Sequence, residues 1–414
     1  MLTVDEALAK VLLASVPLPP IRCELERTLG CCLAEDVHAD RESPPFNKAL
    51  VDGYAVCSSD WLATNTAVRL AVIEHVPAGR IPTKPVQPGL ASFVMTGAPL
   101  PAGADAMVMR EYAEPDGDHV ILAPPRPPAP GTHWMPQGRE LAEGAIVALA
   151  GSRIDAVRLG VFASVGASRP WIWPRPRVTI LSTGDELVPH HLTPGPGQIR
   201  NSNSVLLEGL VRQAGADALV LETAADEASI LAERLAQGLD PAHSNLFLVS
   251  GGVSAGTHDL VPGILEQLGV EPIFHKIRMK PGKPLFFGLK RTPGQSHPVL
   301  TFGLPGNPVS VLVGFLNFVL PCLHRLGGHP PAADPNPRAI LTSSFSHRGD
   351  RPTYYPCRLE QEPTGVRRAT PLAWAGSSDL ITLSRADALV VFPAGDRDYA
   401  AGESLAIVKI PGRD

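Results

Sequence analysis

Apolar positions along this chain follow two periods, and the change from one to the other divides it. Within residues 3–15, Val4, Ala7, Leu8, Val11 and Leu12 fall at helical spacing, and Thr3 with Glu6 has the capping-box pattern that opens a helix. Residues 25–39 carry short apolar runs that predict brief strands, closed by Asp40-Arg41-Glu42-Ser43-Pro44-Pro45. Further strands are expected at 68–73, 93–96 and 106–109, and a helix at 154–163. From Arg177 the pattern alternates. A buried strand at 178–181 leads to a helix that runs through Gln213, with Ser202 or Asn203 as its N-cap. A strand at 218–221, a helix through Leu235, a strand at 246–249, a helix entered at Leu260 and an apolar helix over 309–325 follow. Such alternation predicts a mostly parallel sheet covered on both faces. Residues 336–411 return to short strands at 339–341, 353–355, 388–392 and 405–408, a small β domain.

The expected fold class is therefore multidomain α/β plus β. Proline marks the seams: the chain has 44 of them, dispersed rather than gathered in a tail. Pro124-Pro125-Arg126-Pro127-Pro128-Ala129-Pro130-Gly131 reads as a stiff link, Trp171-Ile172-Trp173-Pro174-Arg175-Pro176 as a hinge, and Gly327-Gly328-His329-Pro330-Pro331 as a linker. These divide the chain into residues 1–44 with 134–174, an inserted β-rich module over 45–133, an α/β module over 175–327, and a β domain over 328–414.

Composition narrows the function classes. A length of 414 residues implies two to four domains, and 44% hydrophobic with 19% charged residues describes a globular protein. A net charge of −5 argues against a general nucleic-acid binder, whose affinity comes from neutralising phosphates. No run of about twenty apolar residues predicts a membrane span. Met1-Leu2-Thr3-Val4-Asp5-Glu6 lacks the basic and apolar regions of a secretory signal, so the cytoplasm is the expected location. The six cysteines show neither C-x-x-C pairs nor metal spacing, which fits reduced thiols.

Candidate chemistry concentrates between Leu246 and Ser310. The strand at 246–249 runs into Ser250-Gly251-Gly252-Val253-Ser254-Ala255-Gly256-Thr257-His258-Asp259 and then a helix, the local geometry that aims backbone N–H groups at an anion. Lys276, Arg278, Lys280 and Lys283 follow, the last two flanking Pro281-Gly282, and a third turn runs Gly303-Leu304-Pro305-Gly306-Asn307-Pro308-Val309-Ser310. No Walker A or G-x-G-x-x-G is present, so the pattern points to a phosphorylated, polyanionic ligand without naming a nucleotide motif. Ser182-Thr183-Gly184-Asp185-Glu186-Leu187 places two carboxylates after the first strand. Glu186, Asp226 and Asp259 all fall at the carboxyl edge of the sheet, where ligands of such folds bind. Three converging carboxylates suit Mg²⁺, although Asp226 or another of them can serve as a helix cap instead. Outside this module, Asp52 precedes a Gly-Tyr turn, where it either faces a ligand or holds its own backbone. Thr96 and Asp105 sit in Pro/Gly-ordered loops, and Glu140 follows the turn at Gly138. Arg351, Arg358, Ser377 and Ser378 are the β domain's candidates for ligand contact.

Seven motifs in order give the chain a family resemblance. They are Val51-Asp52-Gly53-Tyr54-Ala55-Val56, Thr96-Gly97-Ala98-Pro99, Ser182-Thr183-Gly184-Asp185-Glu186-Leu187, Gly197-Gln198-Ile199, Ser250-Gly251-Gly252-Val253-Ser254, Lys280-Pro281-Gly282-Lys283-Pro284 and the turn from Gly303 to Ser310. Together they resemble the MoeA family of molybdopterin molybdenumtransferases, which includes the gephyrin E domain. The resemblance spans essentially the whole chain. It implies elongated N-terminal modules, a central three-layer sheet domain of the molybdopterin-binding type, and a homodimer. In that homodimer one subunit's sheet domain faces the other's second domain. It implies insertion of molybdate into adenylylated molybdopterin with release of AMP in a Mg²⁺-dependent step. Asp52, Thr96, Glu186, Asp259, Lys276 and Lys280 match catalytic positions. Glu140, Ser250, Gly251, Gly252, Ser254, Lys283, Pro305, Gly306, Asn307, Arg351 and Ser377 match substrate contacts, and Glu186, Asp226 and Asp259 the metal set. The molybdopterin adenylyltransferase and recipient molybdoenzymes are the implied protein partners, with neither nucleic acid nor membrane. The departures are Asn47-Lys48-Ala49 before the Asp-Gly-Tyr, Asn201 in place of Asp, Glu140 in place of Asp, and His133-Trp134-Met135 in place of an Asn-Ile-Arg motif. An adenylyltransferase that activates molybdopterin with ATP, or a non-catalytic scaffold of the same fold, are the alternatives. The first usually carries the sheet domain alone or fused beside this architecture, whereas here a single copy is embedded among three other modules; the second uses extra domains and a long linker that are missing here.

Overall fold

A computed structural model describes residues 1–62, 66–253, 260–331, 334 and 336–413. The chain forms two compact units, one of Met1–Glu35, Ala150–Asp155 and Trp171–Asp414, the other of Asp36–Leu149 and Ala156–Pro170.

In the larger unit the alternating pattern builds a six-stranded sheet. Its strands are β1 (Arg177–Ser182), β2 (Asp217–Val220), β3 (Leu246–Ser250), β4 (Glu271–His275), β5 (Phe286–Lys290) and β6 (Val299–Leu304). The order is β2-β1-β3-β6-β5-β4; the first four are mutually parallel, β5 pairs antiparallel with β6, and β4 pairs antiparallel with β5. Strand side chains alternate between faces. Val178, Ile180, Leu246 and Leu248 enter one core with Leu207 and Val211 of the helix Ser202–Gln213. Leu181, Phe247 and Val249 enter the other with Leu231 and Leu235 of Ala228–Gly238 and Val261 and Leu265 of Val261–Gln267. Burial on both faces is why these strands read as unbroken apolar runs.

Asn201, not Ser202 or Asn203, caps the helix Ser202–Gln213, accepting from the Ser204 amide at 3.1 Å. The amino-terminal helix Val4–Ala14 has the expected capping box, with the Thr3 amide 2.8 Å from Glu6 Oε2 and the Glu6 amide 3.2 Å from Thr3 Oγ1. Its Ala7 and Val11 join the first core. Residues 25–27 are a 3₁₀ turn rather than a strand, because Thr28 Oγ1 donates back to the Leu25 carbonyl at 2.7 Å and closes the loop. The helix Pro308–Leu326, with a π turn at Phe315–Val319, is long and apolar enough by length and composition to cross a membrane. It is a core helix: 72% of its apolar window is buried, and Val309, Leu312, Phe315, Phe318 and Leu323 fill the first core.

Arg338–Leu341, Arg367–Pro371, Thr353–Gln361, Ala388–Phe392 and Ser404–Lys409 close a barrel, as the carboxy-terminal pattern of short strands predicts. Its core stacks Phe345 on Phe392 at 4.1 Å between centroids.

The smaller unit holds a mixed six-stranded sheet ordered Ala106–Met109, Gly53–Val56, Leu90–Val94, Val68–Val76, His119–Leu122, Ala113–Asp116. Tyr54, Val56, Trp61, Val108 and Leu122 form its core. The helix Ala156–Ser164 also belongs to this unit, with Phe162 buried.

Helix-to-sheet packing in the larger unit sets a firm limit at one glycine. A Cβ on Gly238 would lie 2.1–2.6 Å from ring atoms of Phe247, which is fully buried on β3. Gly238→Ala is expected to destabilise this unit by about 1–3 kcal/mol through overpacking, read as a lower unfolding midpoint. A midpoint equal to that of the parent would mean that the helix end shifts freely.

Candidate active site

A cleft of about 1210 Å³ opens at the carboxyl edge of the larger unit's sheet. Its walls are the turn after β1 (Thr183, Gly184, Glu186), the turn after β3 (Ser250 to Val253), the turn after β6 (Pro305 to Pro308) and the connection Lys280 to Pro284. The barrel side contributes Arg348, Arg351, Tyr355, Trp374, Ser377 and Ser378. Parallel strands place successive turns at one edge, so residues far apart in sequence meet there.

Glycine is required in the β3 turn. Gly251 and Gly252 have φ of 97° and 62°, and a Cβ on Gly251 would sit 2.4 Å from the Thr183 carbonyl oxygen. The Gly251 amide donates to the Leu304 carbonyl at 3.1 Å, so this N–H serves the fold and not a ligand. Ser254 and Asp259 lie outside the described residues.

The two neighbouring carboxylates after β1 have separate tasks. Asp185 Oδ1 accepts from the Asp226 amide at 3.0 Å and joins two turns, whereas Glu186 lines the cleft, as does Asp226. Among the described residues no three His, Cys, Asp or Glu side chains form a ready metal site. The donors that Glu186 and Asp226 bring are all oxygen, which suits a hard divalent cation better than zinc or copper.

Lysine placement follows backbone anchoring. The Lys280 amide donates to the Pro352 carbonyl at 2.9 Å and its carbonyl accepts from the Tyr354 amide at 2.8 Å, so this segment pairs with the barrel. Lys280 and Lys283 line the cleft. Lys276, at φ 71°, is not among its lining residues, and Arg278 donates to the Asp350 carbonyl at 3.1 Å. Arg351 lines the cleft and donates to the Met279 carbonyl at 3.3 Å. Ser377 Oγ accepts from Asn307 Nδ2 at 2.8 Å and its carbonyl from the Val309 amide at 3.0 Å. Arg358 is exposed on its strand and absent from the lining, because strand alternation turns it away from the cleft-side Tyr355. Sequence reasoning passed over Arg348, Tyr355 and Trp374 on the barrel side; nothing in their spacing separates them from ordinary strand residues.

Asp52, Thr96, Glu140 and Asp105 belong to the smaller unit. Asp52 Oδ1 accepts from Thr96 Oγ1 at 2.6 Å and from the Thr96 amide at 2.7 Å. Those hydrogen bonds, the hydroxyl's first and then the amide's, hold the Asp52 carboxyl below its usual range, with Arg110 assisting. A depressed carboxyl keeps its contact above the ordinary range and loses it as pH falls through the lowered value. Thr96→Val should therefore move the Asp52 titration upward, measurable by NMR; an unmoved titration would discount the hydroxyl. Asp105 accepts from the Ser58 amide at 2.6 Å and hydroxyl at 2.7 Å, a tie within the smaller unit. Glu140 accepts from Ser43 Oγ at 2.8 Å, with Lys48 Nζ at 4.0 Å.

Comparison with known proteins covers the same ground. Residues 2–166 match the MoeA N-terminal region (domain I and II), 179–325 the probable molybdopterin binding domain, and 338–410 the MoeA C-terminal region (domain IV). The molybdopterin molybdenumtransferase of Nostoc sp. is 32% identical over 92% of this chain and 87% of its own length. Molybdopterin molybdenumtransferase 2 of Mycobacterium tuberculosis is 35% identical over 94% of each chain. This chain belongs to the MoeA family. A solved MoeA-family structure, the molybdopterin biosynthesis MoeA protein of Pyrococcus horikoshii, superimposes with a TM-score of 0.78 at 28% identity over 99% of each chain. The MoeA matches bracket the cleft: its sheet turns fall within the molybdopterin-binding match, and Arg348, Arg351 and Ser377 within the MoeA carboxy-terminal match.

Proposed function

We propose that this MoeA-family chain inserts molybdate into adenylylated molybdopterin and releases AMP. The observation that carries the proposal is the composition of one cleft, in which Glu186 and Asp226 face the same space as Lys280, Lys283, Arg348 and Arg351. Fixed cations on anchored backbone suit phosphate and molybdate oxygens, whose charge they offset without reorganising. In this reading Lys280, Lys283 and Arg351 bind and orient the anionic substrates. Ser250, Gly251, Gly252, Pro305, Gly306, Asn307 and Ser377 shape the turns around them. Glu186 and Asp226, with Asp259, would hold a Mg²⁺ ion, which when bound supplies positive charge to the leaving phosphate. Asp52, Thr96, Lys276 and Glu140 are retained as family-matched site residues, Ser254 as a family-matched turn residue.

The test is reconstitution. Purified protein with adenylylated molybdopterin, molybdate and Mg²⁺ should yield AMP and metal-loaded cofactor in step. Adenylylated product from ATP and molybdopterin would instead identify an adenylyltransferase, and neither product would leave a scaffold. The active species is taken to be a cytoplasmic homodimer that receives substrate from the adenylyltransferase and passes product to molybdoenzymes. Sedimentation equilibrium should accordingly return twice the chain mass; a monomer at working concentration would contradict this.

A further inference from the structure

One buried amide touches two of the three cleft turns. Asn203, on the first turn of the helix Ser202–Gln213, is 9% exposed. Its Nδ2 donates to Ser250 Oγ at 2.8 Å and to the Gly306 carbonyl at 2.6 Å. The Gly306 carbonyl can only accept, so it fixes which end of the amide carries the hydrogens. Ser250 Oγ, only 1% exposed with its residue, then accepts from Asn203 and keeps its own hydrogen to give elsewhere. Asn203 Oδ1 is buried without a partner among the described residues. A buried amide oxygen left unpaired costs stability, so packing alone does not account for an asparagine here.

We propose that Asn203 is a positioning residue for the anion site: it sets the spacing of the β3 and β6 turns and leaves the Ser250 hydroxyl polarised as a donor toward substrate oxygen. The inference rests on the reading of the cleft given above. Its neighbour Asn201 has a different duty, tying Ser182, Ser204 and Thr223 at the helix start, so the two asparagines are not interchangeable. The sheet alone does not provide this tie. Strands β3 and β6 are paired through Ser250 and Leu304, but Gly306 lies two residues beyond that register.

Asn203→Asp tests polarity at constant shape. A carboxylate there would accept from the Ser250 hydroxyl, reversing its direction, and would repel the Gly306 carbonyl. The probe is AMP, a phosphate-bearing ligand that does not turn over, with the full-length protein. Asn203→Asp should weaken AMP binding by about tenfold or more, and Asn203→Ala by less, because alanine removes the donor without reversing the hydroxyl. Ser250→Ala should weaken binding in the parent but add little in the Asn203→Asp background. Hydrogen exchange reads the tie without any ligand: peptides covering 250–253 and 304–309 should both exchange faster in Asn203→Asp, while barrel peptides stay as in the parent. If both peptides exchange at the parental rate, the tie is refuted. Parental AMP affinity in Asn203→Asp would refute the polarised hydroxyl. Absence of AMP binding by the parent protein would instead count against the phosphate-site reading, with the exchange result still deciding the tie.

Discussion

Glu186→Gln should lower AMP release by about 100-fold or more, a loss of the size seen when one charge-stabilising group leaves an active site. Glutamine keeps the shape of the side chain and removes only its charge. Asp185 continues to hold the Asp226 amide, so the turn after β1 should stay in place and thermal stability should change little. A variant that retains some turnover should need more Mg²⁺ to reach it, because one anionic ligand is gone. The measurement is AMP release across a Mg²⁺ titration. Parental turnover with parental Mg²⁺ dependence would remove Glu186 from the mechanism.

Lys280→Ala should weaken binding of the anionic substrate by roughly ten- to a hundredfold, since a charge-assisted contact is worth about 1.5–3 kcal/mol. Unfolding should hardly respond. The segment is held by its backbone, through the Pro352 carbonyl and the Tyr354 amide, and these bonds survive truncation of the side chain. The same variant should show a shallower salt dependence of binding, as one screened charge pair has been removed. An unchanged dissociation constant at low salt would make Lys280 an ordinary solvated lysine.

Both residues were visible in the sequence, Lys280 because it flanks Pro281-Gly282 among neighbouring cations, and Glu186 because of its place after a strand. Parallel α/β sheets put strand-ending turns at one edge, so Glu186, Ser250 and Gly306 could be assigned to a common site from the alternation of elements alone. Division of labour within a turn was not visible. Asp185 and Glu186 are chemically alike in sequence, and only the Asp226 amide separates the structural acid from the cleft acid. Lys276 and Lys280 likewise carry the same charge in sequence, and of the two Lys280 lies in the segment that pairs with the barrel and lines the cleft. The N-cap shows the limit of local pattern. Asn201, Ser202 and Asn203 are all good caps by type. Asn203 is drawn inward by Ser250 and Gly306, contacts 47 and 103 residues away, and Asn201 is left to cap the helix. The apolar helix Pro308–Leu326 is the opposite case: the sequence reads there as an apolar helix and not as a span, and its burial in the first core accounts for its composition.

The pairing of Lys280 with residues 352 to 354 also bears on how such chains can be rearranged in evolution or in the laboratory. A barrel that merely contributed Arg351 and Ser377 could be exchanged between relatives as a cassette, with specificity travelling in its side chains. Here the barrel strand beginning at Thr353 also supplies the main-chain partner for the cleft lysine of a different module. Grafts joined near the Gly327-Gly328 linker should therefore inherit the donor barrel's backbone path at this point, and with it the donor's placement of the lysine. Crossovers that leave the Lys280 segment and residues 350–354 from the same parent should yield active chimeras more often than those that separate them.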